Sequence, residues 1–295
     1  MKFGGGLVSS ATSSVPIIGT DFTWTGSDNS YIVLNDGDNN WRIKFLSSGT
    51  FTPLKDMIID VFLVGGGGGG TNGILGNVTG GGGSGYTTTV SSVQLTANTE
   101  YSIVVGAGGT AKNNGGKSMA FEATACGGYA ASGSSNDAKG GNGGSGGGGR
   151  DKGEGGIDGA NGGGVNGGTG QGTITREFGE ATGDLYATGG GGSGSSTAEE
   201  SGAPNTGDGG GGSLTVKAGE GGSGIVVIRK HKEIPATASL TAQSGVSYTN
   251  GLEGLSANTV SLFSAAISNN SNITNETSVI YLDYGDIYRK VSVGD

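Results

Sequence analysis

The stretch "DVFLVGGGGGG" at 60–70 joins an apolar run to six consecutive glycines. An apolar run must leave water by pairing. Glycine, by contrast, loses more backbone freedom on folding than any other residue. Two architectures can follow from such a junction. The glycines are either a flexible linker, as Gly/Ser-rich chains are, or a packed element in their own right. What brackets the tracts decides between them. The run at 60–64 precedes the first tract, and "GIVVIRK" at 224–230 follows the last. Two more runs, "YTTTVSSVQLT" at 86–96 and "YSIVVGAG" at 101–108, lie in between. A random coil has no reason to return its ends to one place. Strands that need partners do, so the tracts are expected to begin and end at one small sheet.

Polyglycine can be ordered in the polyproline II conformation, with three residues per turn, about 3.1 Å rise and no internal hydrogen bonds. Every N–H and C=O then points outward and requires a partner. Ordering a residue costs about 1–2 kcal/mol of backbone entropy, while a hydrogen bond returns only about 0.5–1.5 kcal/mol net. A lone helix fails, but a bundle in which each helix bonds to several neighbours holds. Central helices need glycine on all sides. Peripheral ones can show a side chain outward, as in "GGGVNGG" at 162–168. Glycine supplies 69 of the 295 residues, far above the usual ~7%, so material for such a bundle is present. Proline numbers only 4 and glycine does not recur at every third place, which excludes a collagen triple helix. Aromatics at 6% are too few for a conventional core along the whole chain.

Composition marks three regions. Residues 1–64 read as β: "FTWTG" at 22–26, "SYIVLND" at 30–36 and "NWRIKFLSSGTFTP" at 40–53, with a turn cluster at 36–40. Strict alternation at 41–45 predicts one buried and one wet face. The continuous run at 57–64 predicts a central strand. Residues 65–232 form the glycine-rich region, in which 118–133 is a further strand and turn and the purest tracts lie at 140–149, 153–172, 189–196 and 207–213. Glycine thins out over 233–295. There, 255–268 is predicted to form a short helix with Ser256 as N-cap, and 278–294 a hairpin turning at 283–286. The expected fold is mainly β. A small antiparallel β-sheet or sandwich, in which 1–64 pairs with 86–108 and 225–230, carries a glycine-rich polyglycine II helix bundle. A small C-terminal domain, α+β or β, follows.

Several function classes are disfavoured. Net charge is −9 and the Lys and Arg residues are scattered, apart from "RKHK" at 229–232. No basic stripe for nucleic acid is present. No run approaches the ~20 apolar residues of a membrane span, and the N-terminus lacks the apolar stretch of a secretory signal. With one cysteine, Cys126, no internal disulfide or cysteine zinc site can form. Any His metal site or Ser-His-Asp triad must be built on the single histidine, His231. It sits among three cations and is expected to be a surface strand end. "AKNNGGKS" at 111–118 fits a loose phosphate-loop pattern. That chemistry needs a helix directly after Lys117, and the surroundings read as β. "GEGGIDGANGGG" at 153–164 lacks the recurring aspartates of calcium-binding repeats. No cofactor or metal is expected.

The series "NWRIKFLSSGTFTP…DVFLVGGGGGG…GGGGSGY…YSIVVGAGG…NGGKS…GGSGIVVIRK" resembles the glycine-rich domain of bacteriophage tail and prophage structural proteins, over roughly 20–230. Similar architecture occurs in tail-fibre-tip adhesins and in the extracellular glycine-rich domain of anaplastic lymphoma kinase. The resemblance implies a small sheet capped by a polyglycine II bundle. In the adhesins it implies loops that touch a bacterial surface receptor. The C-terminal domain departs from the adhesins.

On that basis the chain is expected to be a non-catalytic virion protein, made in the host bacterial cytoplasm. Its expected role is in a tail fibre or tail tip, and its partners a protein or glycan receptor on the host surface and other virion proteins. A homotrimer is a candidate assembly, although no heptad stalk is visible. Alternatives are an architectural head, collar or fibre component with a C-terminal docking domain and, less favoured, a glycan-degrading enzyme. Candidate receptor-binding residues are Arg176, Phe178, Leu185 and Tyr186 in the segment 173–186, with Asn113, Asn114, Lys117, Arg150 and Lys152 in other loops. The competing reading makes Phe178 and Tyr186 structural plugs of the glycine bundle.

Overall fold

The computed structural model describes residues 15–37, 40–73, 79–133, 137–149, 175–192, 200–214, 217–232, 238–240, 260–262, 278–284 and 287–293. The chain divides into two compact units, Met1–His231 and Lys232–Asp295.

The first unit is a β-sandwich. Its strands are β1 (Phe22–Trp24), β2 (Tyr31–Gly37), β3 (Asn40–Phe45), β4 (Gly49–Pro53), β5 (Met57–Val64), β6 (Thr87–Leu95), β7 (Tyr101–Ile103), β8 (Ser118–Ala120), β9 (Ala123–Ala125) and β10 (Ile225–Lys230). One sheet has the order β2-β3-β10-β5-β6, a second β1-β4-β7, and β8-β9 form a hairpin. All their pairings are antiparallel. The alternation at 41–45 resolves as expected. Trp41, Ile43 and Phe45 enter the core between the sheets, where they meet Phe22, Phe51, Ile59, Val61, Leu63, Val226 and Ile228. The run 40–53 is two strands rather than one, divided between the sheets. The continuous apolar character of β5 and β10 has a specific cause. Their other face is also covered: Phe62, Val64, Ile225 and Val227 form a second cluster with Tyr186 and Ala187. The hydrophobic content of this unit is concentrated in these two clusters, which is why the glycine region needs no core of its own.

Residues 65–71 leave β5 and show what replaces a strand ladder once side chains are gone. Their amides donate in turn to three different chains. Gly65, Gly68 and Thr71 donate to the carbonyls of Tyr86, Gly83 and Gly80. Gly66 and Gly69 donate to Gly116 and Asn113, and Gly67 and Gly70 to Gly222 and Gly219. Three residues forward along 65–71 are three residues backward along each partner, so these neighbours run antiparallel. The carbonyls follow the same rule towards parallel chains. Gly66 and Gly69 accept from Gly128 and Ala131, Gly67 and Gly70 from Gly109 and Lys112, and Gly68 and Thr71 from Gly210 and Ser213. The segment is thus a threefold screw bonded on six sides. None of glycines 65–70 has positive φ, which makes it the left-handed polyproline II form adopted by polyglycine. Segment 80–86 repeats the pattern. Gly81 and Ser84 donate to Gly148 and Ser145, Gly82 and Gly85 to Gly210 and Gly207, and Gly83 and Tyr86 to Tyr129 and Cys126.

Glycine is required here by contact rather than by φ. A Cβ at Gly66 would lie 2.6 Å from the Ala107 carbonyl carbon, and one at Gly69 2.7 Å from that of Thr110. Real Cβ atoms do not approach backbone so closely. Segment 65–71 starts level with Tyr86 at the sheet and ends level with Gly80. Its far end is therefore roughly 19 Å from the sheet at ~3.1 Å per residue. The turn at Ala111 and Lys112 and the Ser132–Lys139 bridge lie at that far end, because Lys112 bonds to Gly70 and Ala131 to Gly69.

In the second unit, β11 (Ala238–Leu240) pairs with β12 (Val260–Leu262), and β13 (Ser278–Tyr284) pairs with β14 (Ile287–Val293), all antiparallel. The hairpin expected at 278–294 is present. The helix expected over 255–268 is corrected at its centre, since Val260–Leu262 is a strand. The i, i+4 pattern there was short and rich in serine and β-branched residues, and such weak propensity yields to an available strand partner. The remainder of 255–268 lies outside the described residues.

Candidate functional site

The second face of the five-stranded sheet carries charge as well as apolar groups, because its alternate positions include Arg42 and Lys44 on β3, Asp60 on β5 and Arg229 on β10. Residues 175–186 lie across this face, their ends joined by the Thr175–Tyr186 bridge. A short 3-10 segment, Glu177–Gly179, turns the chain with Phe178 at φ 55°. It directs three carboxylates towards the strand cations. Glu177 meets Arg42 Nη1 and Lys44 Nζ, each at 2.5 Å, and accepts from the Tyr186 hydroxyl at 2.6 Å. Glu180 lies 3.2 Å from Arg42 Nη2 and 3.0 Å from Arg229 Nη1. Asp184 lies 3.1 Å from Lys44 Nζ.

Ionisation follows this geometry. Burial pushes the Glu177 carboxyl up, but Lys44, Tyr186 and Arg42 outweigh it and hold the group below its ordinary value. Burial lowers Lys44, and Glu177 and Asp184 reverse that to a net rise. Arg42 is likewise raised against burial by Asp36, Glu177 and Glu180. Burial first, and then the bond to Glu177, push the Tyr186 phenol well up. This arrangement locks the segment to the sheet. It offers no free base or acid.

The candidate residues fall into separate groups. Phe178 packs at 5.9 Å from the Phe62 ring, under the Arg229 guanidinium at 4.1 Å. Tyr186 is 4% exposed and packs at 5.5 Å from Phe62. Both fill the sheet face rather than the end of the glycine bundle. Arg176 Nε donates to the Gly183 carbonyl at 3.3 Å. Leu185 is 44% exposed, within an exposed tip at 181–185. Asn113 and Asn114 lie towards the far end of the lattice, where they brace turns. Asn113 Nδ2 donates to Thr110 Oγ1, and Asn114 Oδ1 accepts from the Ala130 amide. Lys117 is exposed near the sheet. Arg150 and Lys152, with 173–174, lie outside the described residues, as does the calcium-like stretch 153–164. The phosphate-loop pattern is set aside by the strand that starts at Ser118, where it would need a helix. Ser118 Oγ instead donates to the Val64 carbonyl at 2.6 Å.

A family model for the glycine-rich domain matches residues 46–231. The chain belongs to this glycine-rich domain family. Comparison with curated proteins gives no match. The matched span opens just before β4 and closes just after β10, so this glycine-rich domain includes the lattice and both strands that bracket it. Among its described residues no group of three His, Cys, Asp or Glu is placed to hold a metal ion. No described helix is long and apolar enough to cross a membrane.

Sequence reasoning missed His231. It is not a solvated strand end. Its Nδ1 lies 2.6 Å from Asp60 Oδ1 and its Nε2 2.9 Å from Ser92 Oγ. No spacing signal joins residues 60, 92 and 231, because strands β5, β6 and β10 become neighbours only in the sheet.

Proposed function

We propose that the chain is a bacteriophage virion protein of the tail fibre or tail tip that attaches to the host surface through loops on its glycine lattice. The observation that supports this reading is the six-sided bonding of segment 65–71. It makes a stiff scaffold in which glycine predominates and leaves Lys117, Asn113 and Asn114 exposed beside it. Such division between scaffold and loop suits recognition. Within it, Leu185 and the 181–185 tip, Lys117, Asn113 and Asn114 are the exposed receptor-binding candidates, while Phe178 and Tyr186 hold the loop that presents Leu185. A protein or glycan receptor and other virion proteins are the proposed partners.

The test is binding of purified, labelled full chain to cells of the host bacterium. Exchange of Thr182 and Leu185, and separately of the Lys117 side chain, which leave Asp184, Gly183 and Asn114 in place, should abolish or redirect binding with the urea midpoint preserved. Unchanged binding in both variants rejects these loops. Absence of the protein from tail fibres and tips of intact particles rejects the attachment role. The separate unit Lys232–Asp295 favours one second reading, an architectural virion component docked through that unit. Location in the head or collar would select it.

A further inference from the structure

The trio around His231 has the connectivity of a nucleophile, a base and an orienting acid. Asp60 is 2% exposed. Its Oδ2 is fixed by Arg229 Nε at 3.0 Å, and its Oδ1 accepts from the Ser92 amide at 3.1 Å and faces His231 Nδ1 at 2.6 Å. Burial pushes this carboxyl up, but His231, Ser92 and Arg229 hold it below its ordinary value, so it is ionised and only accepts. An acceptor-only carboxylate requires a proton on His231 Nδ1, and in that tautomer Nε2 is the acceptor for the Ser92 hydroxyl at 2.9 Å. A β-bulge creates the approach. Ile59 pairs with Val93 and Val61 with Val90, so Ser91 and Ser92 together stand opposite Asp60. Ser92 is forced to φ 60°, a conformation that costs a non-glycine residue about 1–3 kcal/mol and clusters at functional sites. The bulge lies on the outermost strand of its sheet and Ser92 is exposed, so an ester on a large carrier can reach it.

We propose that Ser92, His231 and Asp60 form a hydrolytic site for carboxylic esters presented at the exposed sheet edge. The Ser92 Oγ attacks the ester carbonyl carbon and its proton passes to His231 Nε2. The carbon–oxygen bond to the alcohol breaks, and the alcohol leaves with that proton. Water then attacks the acyl-serine with His231 again taking and returning a proton, so ester and water become acid and alcohol. Asp60 acts through the imidazole and is a positioning residue. General-base assistance of this kind gives about 10²–10⁴-fold over the uncatalysed reaction.

The test uses the full chain with a fluorophosphonate probe and with p-nitrophenyl acetate. One phosphonylated serine is expected, mapped by mass spectrometry to the peptide containing Ser92. Ser92→Ala should abolish both labelling and turnover at an unchanged urea midpoint. His231→Gly should lose at least about 100-fold and regain turnover with added imidazole. Asp60→Asn should lower kcat with KM unchanged. No labelling, labelling on another serine, or a Ser92→Ala protein as reactive as the parent overturns the proposal. The trio is then a clasp for the bulge.

Discussion

Alanine at Gly68 tests whether backbone contact, rather than backbone flexibility, is why the lattice is glycine. Its Cβ would overlap the Tyr129 carbonyl and lie 2.7 Å from the Ala130 nitrogen. An ordinary contact starts at 3.4 Å, so segment 126–131 must retreat by roughly 1 Å, as overpacked interiors do. That retreat stretches the bonds from Gly128 to Gly66 and from Ala131 to Gly69, now 2.9 and 3.0 Å, and the bond from Gly83 to Tyr129, now 2.9 Å, past useful length. Three bonds at about 0.5–1.5 kcal/mol each give a cost of about 1.5–4.5 kcal/mol, and more where a group is left buried without a partner. A domain holds only about 5–15 kcal/mol in total. The control is Gly211→Ala. Gly211 is also buried and bonded in the lattice, but its Cβ would meet nothing nearer than the Glu200 carbonyl oxygen at 3.2 Å. That substitution should change stability by less than about 1 kcal/mol, since alanine also restricts the unfolded chain. Urea denaturation of both variants, compared by midpoint at constant m value, gives the answer. Equal destabilisation of the two, or a loss under about 1 kcal/mol at Gly68, refutes the contact argument.

Further outcomes follow from the charged sheet face. Glu177 and Asp60 both titrate below their ordinary values when folded. Their stabilisation is therefore full above the unfolded values near pH 4 and is lost as pH falls through the lower folded values; urea midpoints at pH 7, 4 and 3 should decline, less steeply in Glu177→Gln. Glu177→Ala should cost about 1.5–3 kcal/mol, because Arg42 and Lys44 lose their shared anion and keep only Asp36, Glu180 and Asp184 as partners. Spectroscopic titration should find the Tyr186 phenol still protonated at pH values where exposed tyrosines ionise, near 10, and Tyr186→Phe should remove that late step. Phe62→Ala should cost about 3–5 kcal/mol and speed proteolysis at 181–185, since the ring carries both Phe178 and Tyr186.

Much of the fold was legible because its signals are local. Alternation at 41–45, the continuous run at 57–64 and the compositional break near 233 each follow from which faces a segment buries. The lattice was legible for a different reason. Polyglycine has one ordered form that satisfies its backbone, and the bracketing strands require its ends to meet. The helix expected at 255–268 failed because a few weakly amphipathic residues carry less free energy than strand pairing at Val260–Leu262. The candidate surface was half legible. Residues 173–186 stood out as the most varied segment among the tracts. Sequence could not say that Glu177 would be buried between Arg42 and Lys44, more than 130 positions earlier, with Phe178 and Tyr186 turned inward.

By itself, the sequence determined that glycine is the building material, that strands open and close its tracts, and that no metal or disulfide framework built on cysteines replaces a core. These conclusions depend on residue type and neighbours along the chain. Tertiary structure alone decided which carbonyl each glycine amide reaches, which face the 175–186 segment covers, and that Ser92, His231 and Asp60 meet. Glycine tracts have no side chains to specify register, so their pairing is set only when all six neighbours are in place. Cross-strand neighbours, in turn, depend on sheet order, which no local pattern encodes.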